Sequence, residues 1–148
     1  MAEQIVFHID VNSAFLSWTA AHRMCVLGDG FDLRTVPSAV AGDKKSRHSI
    51  ILAKSGPAKK FGIQTGEPLG KMEKCPNLVV VEPDYELYVT ASRSLIAMLR
   101  EYSPLVEQFS IDEAWIDMTG TTGLYGPPVL AADRLRERIH RELGFTVN

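Results

Sequence analysis

Two apolar, strand-like runs in this chain of 148 residues are broken by acids, and that conjunction restricts its fold more than any other feature. Gln4 to Ile9 (QIVFHI) is short, almost continuously apolar and β-branched, the pattern of a strand buried on both faces, and it stops at Asp10. Leu105 to Met118 reads as two strands that meet near Asp112 and Glu113. A carboxylate is costly to bury, so the acids belong at strand ends and junctions. Neighbouring residues in a regular strand point to opposite faces. Asp112 and Glu113 therefore serve one site only where the chain bends or reverses, as a hairpin does.

The intervening elements follow from periodicity and punctuation. Asn12 or Ser13 can cap a helix running to about Leu27, on which Phe15, Trp18, Thr19 and His22 recur at helical spacing and which Gly28 can close. Thr35 to Ala41 and Ser49 to Ala53 form a hairpin whose charged turn, Gly42 to Arg47, gives it a basic tip. A short helix over Pro57 to Phe61, stopped by Gly62, a helical turn over Leu69 to Lys74 and a strand over Leu78 to Val81 come next. Pro83 and Asp84 introduce a helix with the apolar stripe Leu87, Tyr88, Ala91, Leu95, Met98, Leu99 and Tyr102. Thr119 to Gly126 reads as loop. Pro128 starts an amphipathic helix with Ala132, Leu135, Ile139 and Leu143 inward and Gly144 as its stop, and Phe145 to Val147 open a further strand.

Taken in order, the first strand, the helix from Asp84, the central strand pair, the last helix and the final strand make an α+β, ferredoxin-like split β-α-β-β-α-β order. Val11 to about Val81 is then an insertion. Charge separates the same two parts: Ala41 to Cys75 carries eight Lys and Arg against three acids, +5, while the remainder carries −7, so a net charge of −2 hides a basic lobe. A solvated lysine-rich surface is the favoured account of such a run taken alone. No stretch of eighteen apolar residues and no secretory leader is visible, which predicts a soluble, cytosolic protein with no membrane partner. Cys25 and Cys75 lack metal-ligand spacing and are too few for a disulfide framework.

In the split sheet the first strand and the central hairpin lie side by side, which would gather Asp10, Asp112 and Glu113. Three such acids repel one another without a cation. Their hard oxygens suit Mg²⁺ or Mn²⁺, and two such ions can activate an attacking hydroxyl and neutralise a leaving phosphate. Spacing alone equally allows Asp10 as a helix cap and Asp112-Glu113 as a turn.

Ser110-Ile111-Asp112-Glu113-Ala114 with Trp115-Ile116-Asp117 resembles the catalytic motif of the Y-family, or translesion, DNA polymerases, in the style of the bacterial UmuC-like branch. So do His8-Ile9-Asp10, Lys54-Ser55, Ala58-Lys59-Lys60-Phe61-Gly62-Ile63, and Tyr85, Tyr88 and Ser92, in order from about Ile5 to the end. The resemblance implies a palm made of residues 1–11 and 80–148 and a small fingers subdomain of residues 12–79. Asp10, Asp112 and Glu113, with the backbone carbonyl of Val11, match the family's ligands for two Mg²⁺ or Mn²⁺ ions. Those ions align a primer 3′-hydroxyl with the α-phosphate of a dNTP on primer-template DNA. Phe15 matches the steric gate that excludes a ribose 2′-hydroxyl, and Ser55 and Lys59 fall in the nucleotide-binding stretch.

Four departures stand out. Lys59 replaces a frequent arginine and so lacks its bidentate fork, Gly56-Pro57 replaces Tyr-Glu of many relatives, and Ala53 replaces a hydroxyl residue of some. The further phosphate-binding lysine, thumb, little finger and any sliding-clamp contact that the resemblance implies lie outside these residues. The chain is accordingly expected to be an N-terminal catalytic fragment that holds DNA weakly. A noncatalytic relative of the same fold and a palm-fold nucleotide cyclase are the alternatives.

Overall fold

The computed structural model describes residues 3–43 and 48–148. In chain order its elements are β1 (Val6–Asp10), α1 (Ala14–Cys25), β2 (Ser38–Ala41), β3 (Ile51–Lys54), α2 (Gly56–Lys60), β4 (Val79–Val81), α3 (Tyr85–Arg100), β5 (Val106–Gln108), β6 (Glu113–Asp117), α4 (Thr122–Tyr125) and α5 (Pro128–Leu143). Leu33–Thr35 and Leu69–Lys74 are 3-10 turns. The chain forms two compact units, one of Met1–Asn12 with Tyr88–Asn148, the other Ser13–Leu87. Among the described residues no helix is long and apolar enough to cross a membrane.

The first unit is built on an antiparallel sheet in the order β1-β6-β5, in register from Val6↔Asp117 to Asp10↔Glu113. On the other side of β1, Val11 bridges Val147, and Asp10 and Asn148 exchange both backbone hydrogen bonds, at 3.1 and 2.8 Å. The last residues thus add a fourth lane beside the first, the strand order of a split β-α-β-β-α-β fold.

Alternation then sorts the side chains. Ile9, Ala114 and Ile116 point to one face and are at most 4% exposed; Val6 and Trp115 point to the other and are 43% and 42% exposed. The expectation that β1 is buried on both faces is therefore corrected: both long helices cover the same side. Gln108 donates to Ser92 on α3 at 3.0 Å, and Ala132 and Leu135 of α5 line a cavity of about 50 Å³ with Phe7 and Ile9. The uncovered face carries His8, Asp10, Glu113 and Trp115.

The α3 stripe packs as expected through Tyr88, Leu95, Met98 and Leu99, with Ser92 and Ile96 added. Asp84 Oδ1 accepts from the Leu87 amide at 3.0 Å and so caps the helix. In α5 the inward residues are Ala131, Leu135 and Ile139, and Ala132 and Leu143 are only half-buried. Gly144 ends this helix at φ 81, a left-handed turn that a Cβ disfavours. Within the predicted loop Thr119 to Gly126 lies the one-turn helix α4, closed by the Gly126 amide on the Thr122 carbonyl.

In the second unit β2 pairs antiparallel with β3 and parallel with β4, giving the order β3-β2-β4. Leu16, Ala20, Leu33, Val40 and Ala53 form one apolar cluster; Ala39, Ala41, Ile51, Ala58, Ile63, Leu69, Cys75 and Val80 form another. The hairpin is present, and residues 44–47 of its basic tip lie outside the described residues. Because β4 bonds to β2, residues 80–87 belong with this unit. The units divide at 12/13 and 87/88.

Two details of α1 depart from the sequence reading. Ser13 sits at φ 46 and makes no side-chain cap, while Asn12 bonds to Thr146 at 3.0 Å and to Asn148 at 2.7 Å. The helix is buried nearly all round through Leu16 to Ala21, whereas Phe15 and His22 are half-exposed. A stripe at helical spacing marks only the inward face, and α1 is enclosed on more than one.

Candidate active site

Backbone pairing brings the acids of the first unit together. Asp10 directs its amide and carbonyl to Asn148, away from β6, so Asp10 and Glu113 form a non-hydrogen-bonded cross-strand pair, the closer of the two antiparallel kinds. Directly opposed residues share a face, and both side chains emerge on the uncovered one. Next along β1 the Val11 amide donates to the Asp112 carbonyl at 3.0 Å, fixing the loop that carries Asp112 beside them. That loop turns sharply because the Phe109 and Ser110 amides both donate to the Glu113 carbonyl, at 3.0 and 3.2 Å. The reversal lets consecutive acids serve one site.

Ser110 Oγ donates to Asp112 Oδ1 at 2.8 Å and lies 3.4 Å from Glu113 Oε2. On the other side His8 Nε2 is 3.5 Å from Glu113 Oε1, and its ring stacks on Trp115 with centroids 4.2 Å apart. Burial raises the Asp10 carboxyl above the ordinary carboxylate range; the charges of Asp112 and then Glu113 raise it further, and His8 opposes them. The site is thus a self-repelling cluster of hard oxygens, chemistry that fits a divalent cation. Among the described residues no three His, Cys, Asp or Glu side chains are gathered so as to hold an ion as they stand. Asp10 and Glu113 are nonetheless near enough for a side-chain hydrogen bond between their carboxyls.

Phe15, Ser55 and Lys59 lie in the second unit. The Phe15 ring is 6.2 Å from Trp18 and meets Tyr85 edge-on at 6.2 Å. Lys59 is exposed in the last turn of α2. Ser55 is buried, at 3% exposure: its hydroxyl accepts from the Ser38 and Ala58 amides at 3.0 and 3.1 Å and donates to the Val36 carbonyl at 2.7 Å. Its hydrogen bonds cap α2 and tie the sheet edge. Sequence reasoning gave no role to His8, Ser110 or Tyr85. The alternation of His8 with Asp10 and of Glu113 with Trp115 was the available signal for the first.

The chain as a whole is similar to known proteins. The chain is similar to DNA polymerase IV of Clostridium acetobutylicum, 49% identical over 147 residues, covering 98% of this chain and 36% of the relative. It is 38% identical to DNA polymerase IV of Alkaliphilus oremlandii over 95% of this chain and 34% of that protein. The chain thus spans about a third of the length of these curated relatives. Among solved structures, DinB from Sulfolobus solfataricus matches with a TM-score of 0.79 at 22% identity, over 97% of this chain and 40% of that one. A Y-family polymerase chimera, Dbh-Dpo4(243-245)-Dbh, matches equally at 0.79 and 21% identity, over 97% of this chain and 41% of its own. These likenesses show the fold. The sequence model of the impB/mucB/samB (IMS) family matches residues 9–148, and the chain belongs to that family.

Proposed function

We propose that this chain is the palm and fingers of a DNA-directed DNA polymerase that adds a dNTP, directed by primer-template DNA, to a primer 3′-hydroxyl. The observation that carries the reading is the Asp10↔Glu113 pairing, with the Asp112 loop tied to Val11 beside it. Asp10, Asp112, Glu113 and the Val11 carbonyl would hold two Mg²⁺ or Mn²⁺ ions, which when bound lower the barrier to in-line displacement at the α-phosphate. Val11 and Asp112 share a backbone hydrogen bond, so the loop acid and the strand acid keep one spacing. Phe15 is assigned as the steric gate and Lys59 as a point charge toward the triphosphate. Ser55 contributes by anchoring the start of α2.

Support comes from the DNA polymerase IV names of the relatives and from a neighbour described as an insertion ternary complex of Dbh DNA polymerase. The test has two parts. Mg²⁺ with a dNTP should raise the melting temperature of this chain, and Asp112→Ala should abolish the shift. Joined to the C-terminal two thirds of the Clostridium relative, the chain should extend a primer, and the Asp112→Ala chimera should not. Equal extension by both would end the assignment. Gly56-Pro57 favours a second, noncatalytic reading; a folded chimera that binds Mg²⁺ yet extends nothing would support it.

A further inference from the structure

The uncovered face of the first unit pairs a metal-site acid with an unassigned imidazole. His8 and Asp10 alternate along β1, Glu113 and Trp115 along β6, and the register sets His8 opposite Trp115 and Asp10 opposite Glu113. The His8 ring lies nearly parallel to Trp115, 21° between planes, so it is held on two sides, by the sheet beneath and the indole beside it. From there Nε2 reaches Glu113 Oε1 at 3.5 Å, while Ser110 Oγ lies 3.4 Å from the other oxygen, Oε2. Glu113 has three side-chain torsions, and a ligand fixed before the ion arrives loses less rotamer freedom on binding. Acids that ligate metals are generally steadied by such outer partners.

We propose that His8 is a positioning residue for Glu113, with Trp115 as the platform that orients it. The assignment rests on the metal reading above. The Glu113 carboxylate is presented toward Asp10 by one polar contact on each oxygen, and the imidazole itself takes no place in the ion's shell.

The experiment uses this chain with Mg²⁺ alone as the probe. A Trp18→Phe background leaves Trp115 as the single tryptophan, so its emission reports both the His8 stack and the movement of Glu113. His8→Phe keeps a ring on Trp115 and loses the polar contact; His8→Gln keeps a donor and loses the stacked ring. His8→Phe should weaken Mg²⁺ binding about tenfold, the effect typical of removing a ligand's outer partner, while His8→Gln stays within about threefold of the parent. Metal-free melting of each variant checks the fold, and the half-exposed position of His8 makes both substitutions sterically easy. If His8→Phe binds Mg²⁺ as the parent does, or His8→Gln falls as far as His8→Phe, His8 is a packing residue and the proposal is overturned. In that case parent binding that Asp112→Ala abolishes leaves the metal reading intact. Absence of Mg²⁺ binding by the parent overturns both.

Discussion

Replacing Asp10 by Asn should stabilise the metal-free protein and destroy its response to metal. Asp10 opposes Glu113 in a non-hydrogen-bonded pair, where Cα atoms are about 4.5 Å apart and like charges cost about 0.2–1 kcal/mol. Asp112 adds to the same repulsion. An Asn side chain is nearly isosteric, carries no charge and can donate to Glu113, so a gain of about 0.5–1 kcal/mol is expected at a pH of about 8. At ~2–4 °C per kcal/mol for a chain of this size, that is a rise of roughly 1–4 °C in melting temperature.

The pH dependence has a definite sign. Burial, then the charges of Asp112 and Glu113, raise the Asp10 carboxyl above its unfolded value. Its contribution to stability is fully present below the ordinary carboxylate value, near about 4, and is lost as pH rises through the raised one. The variant and the parent should therefore coincide in acid and separate as pH rises.

Metal reverses the order. At Mg²⁺ about tenfold above its Kd the parent gains about 1.4 kcal/mol by mass action, and the variant gains little. Thermal melts in chelator and in Mg²⁺, at several pH values, measure all three effects. A variant less stable than the parent in chelator at mildly alkaline pH, or one stabilised equally by Mg²⁺, would refute the repulsion argument.

Two further outcomes test the framework. Ser55→Ala removes a helix cap and leaves the Ser38 amide and Val36 carbonyl short of a partner, so urea melts should show a loss of about 1–3 kcal/mol. Mg²⁺ affinity should be unchanged, and a weaker Mg²⁺ response at full stability would place Ser55 at the nucleotide site. Gly144→Ala forces a Cβ into the left-handed region at φ 81 and should cost about 1–2 kcal/mol by the same melts; a neutral result would mean that the α5 stop does not depend on glycine.

Much of this architecture was legible in the chain itself. Alternation and helical spacing marked β1, α3, the β5–β6 hairpin and α5, because each buries a regular face and its apolar residues must recur at the period of the element. Acids ending or interrupting apolar runs pointed to Asp10, Asp112 and Glu113 for the same reason: charge at such positions needs a cause. What periodicity could not supply was partnership. The continuous apolar run of β1 reads the same whether helices cover one face or both, and only the tertiary arrangement left the His8, Asp10, Glu113 and Trp115 face uncovered. A run such as Val79 to Val81 signals a strand without naming its partner, so the division at Leu87 came from the β2–β4 pairing. A serine in a motif does not reveal its hydrogen bonds, and those of Ser55 go to backbone groups. Local sequence determined which residues must be inside, which must turn and where charge was anomalous. Long-range pairing, whose cost and reward depend on segments far apart in the chain, decided which of those residues meet.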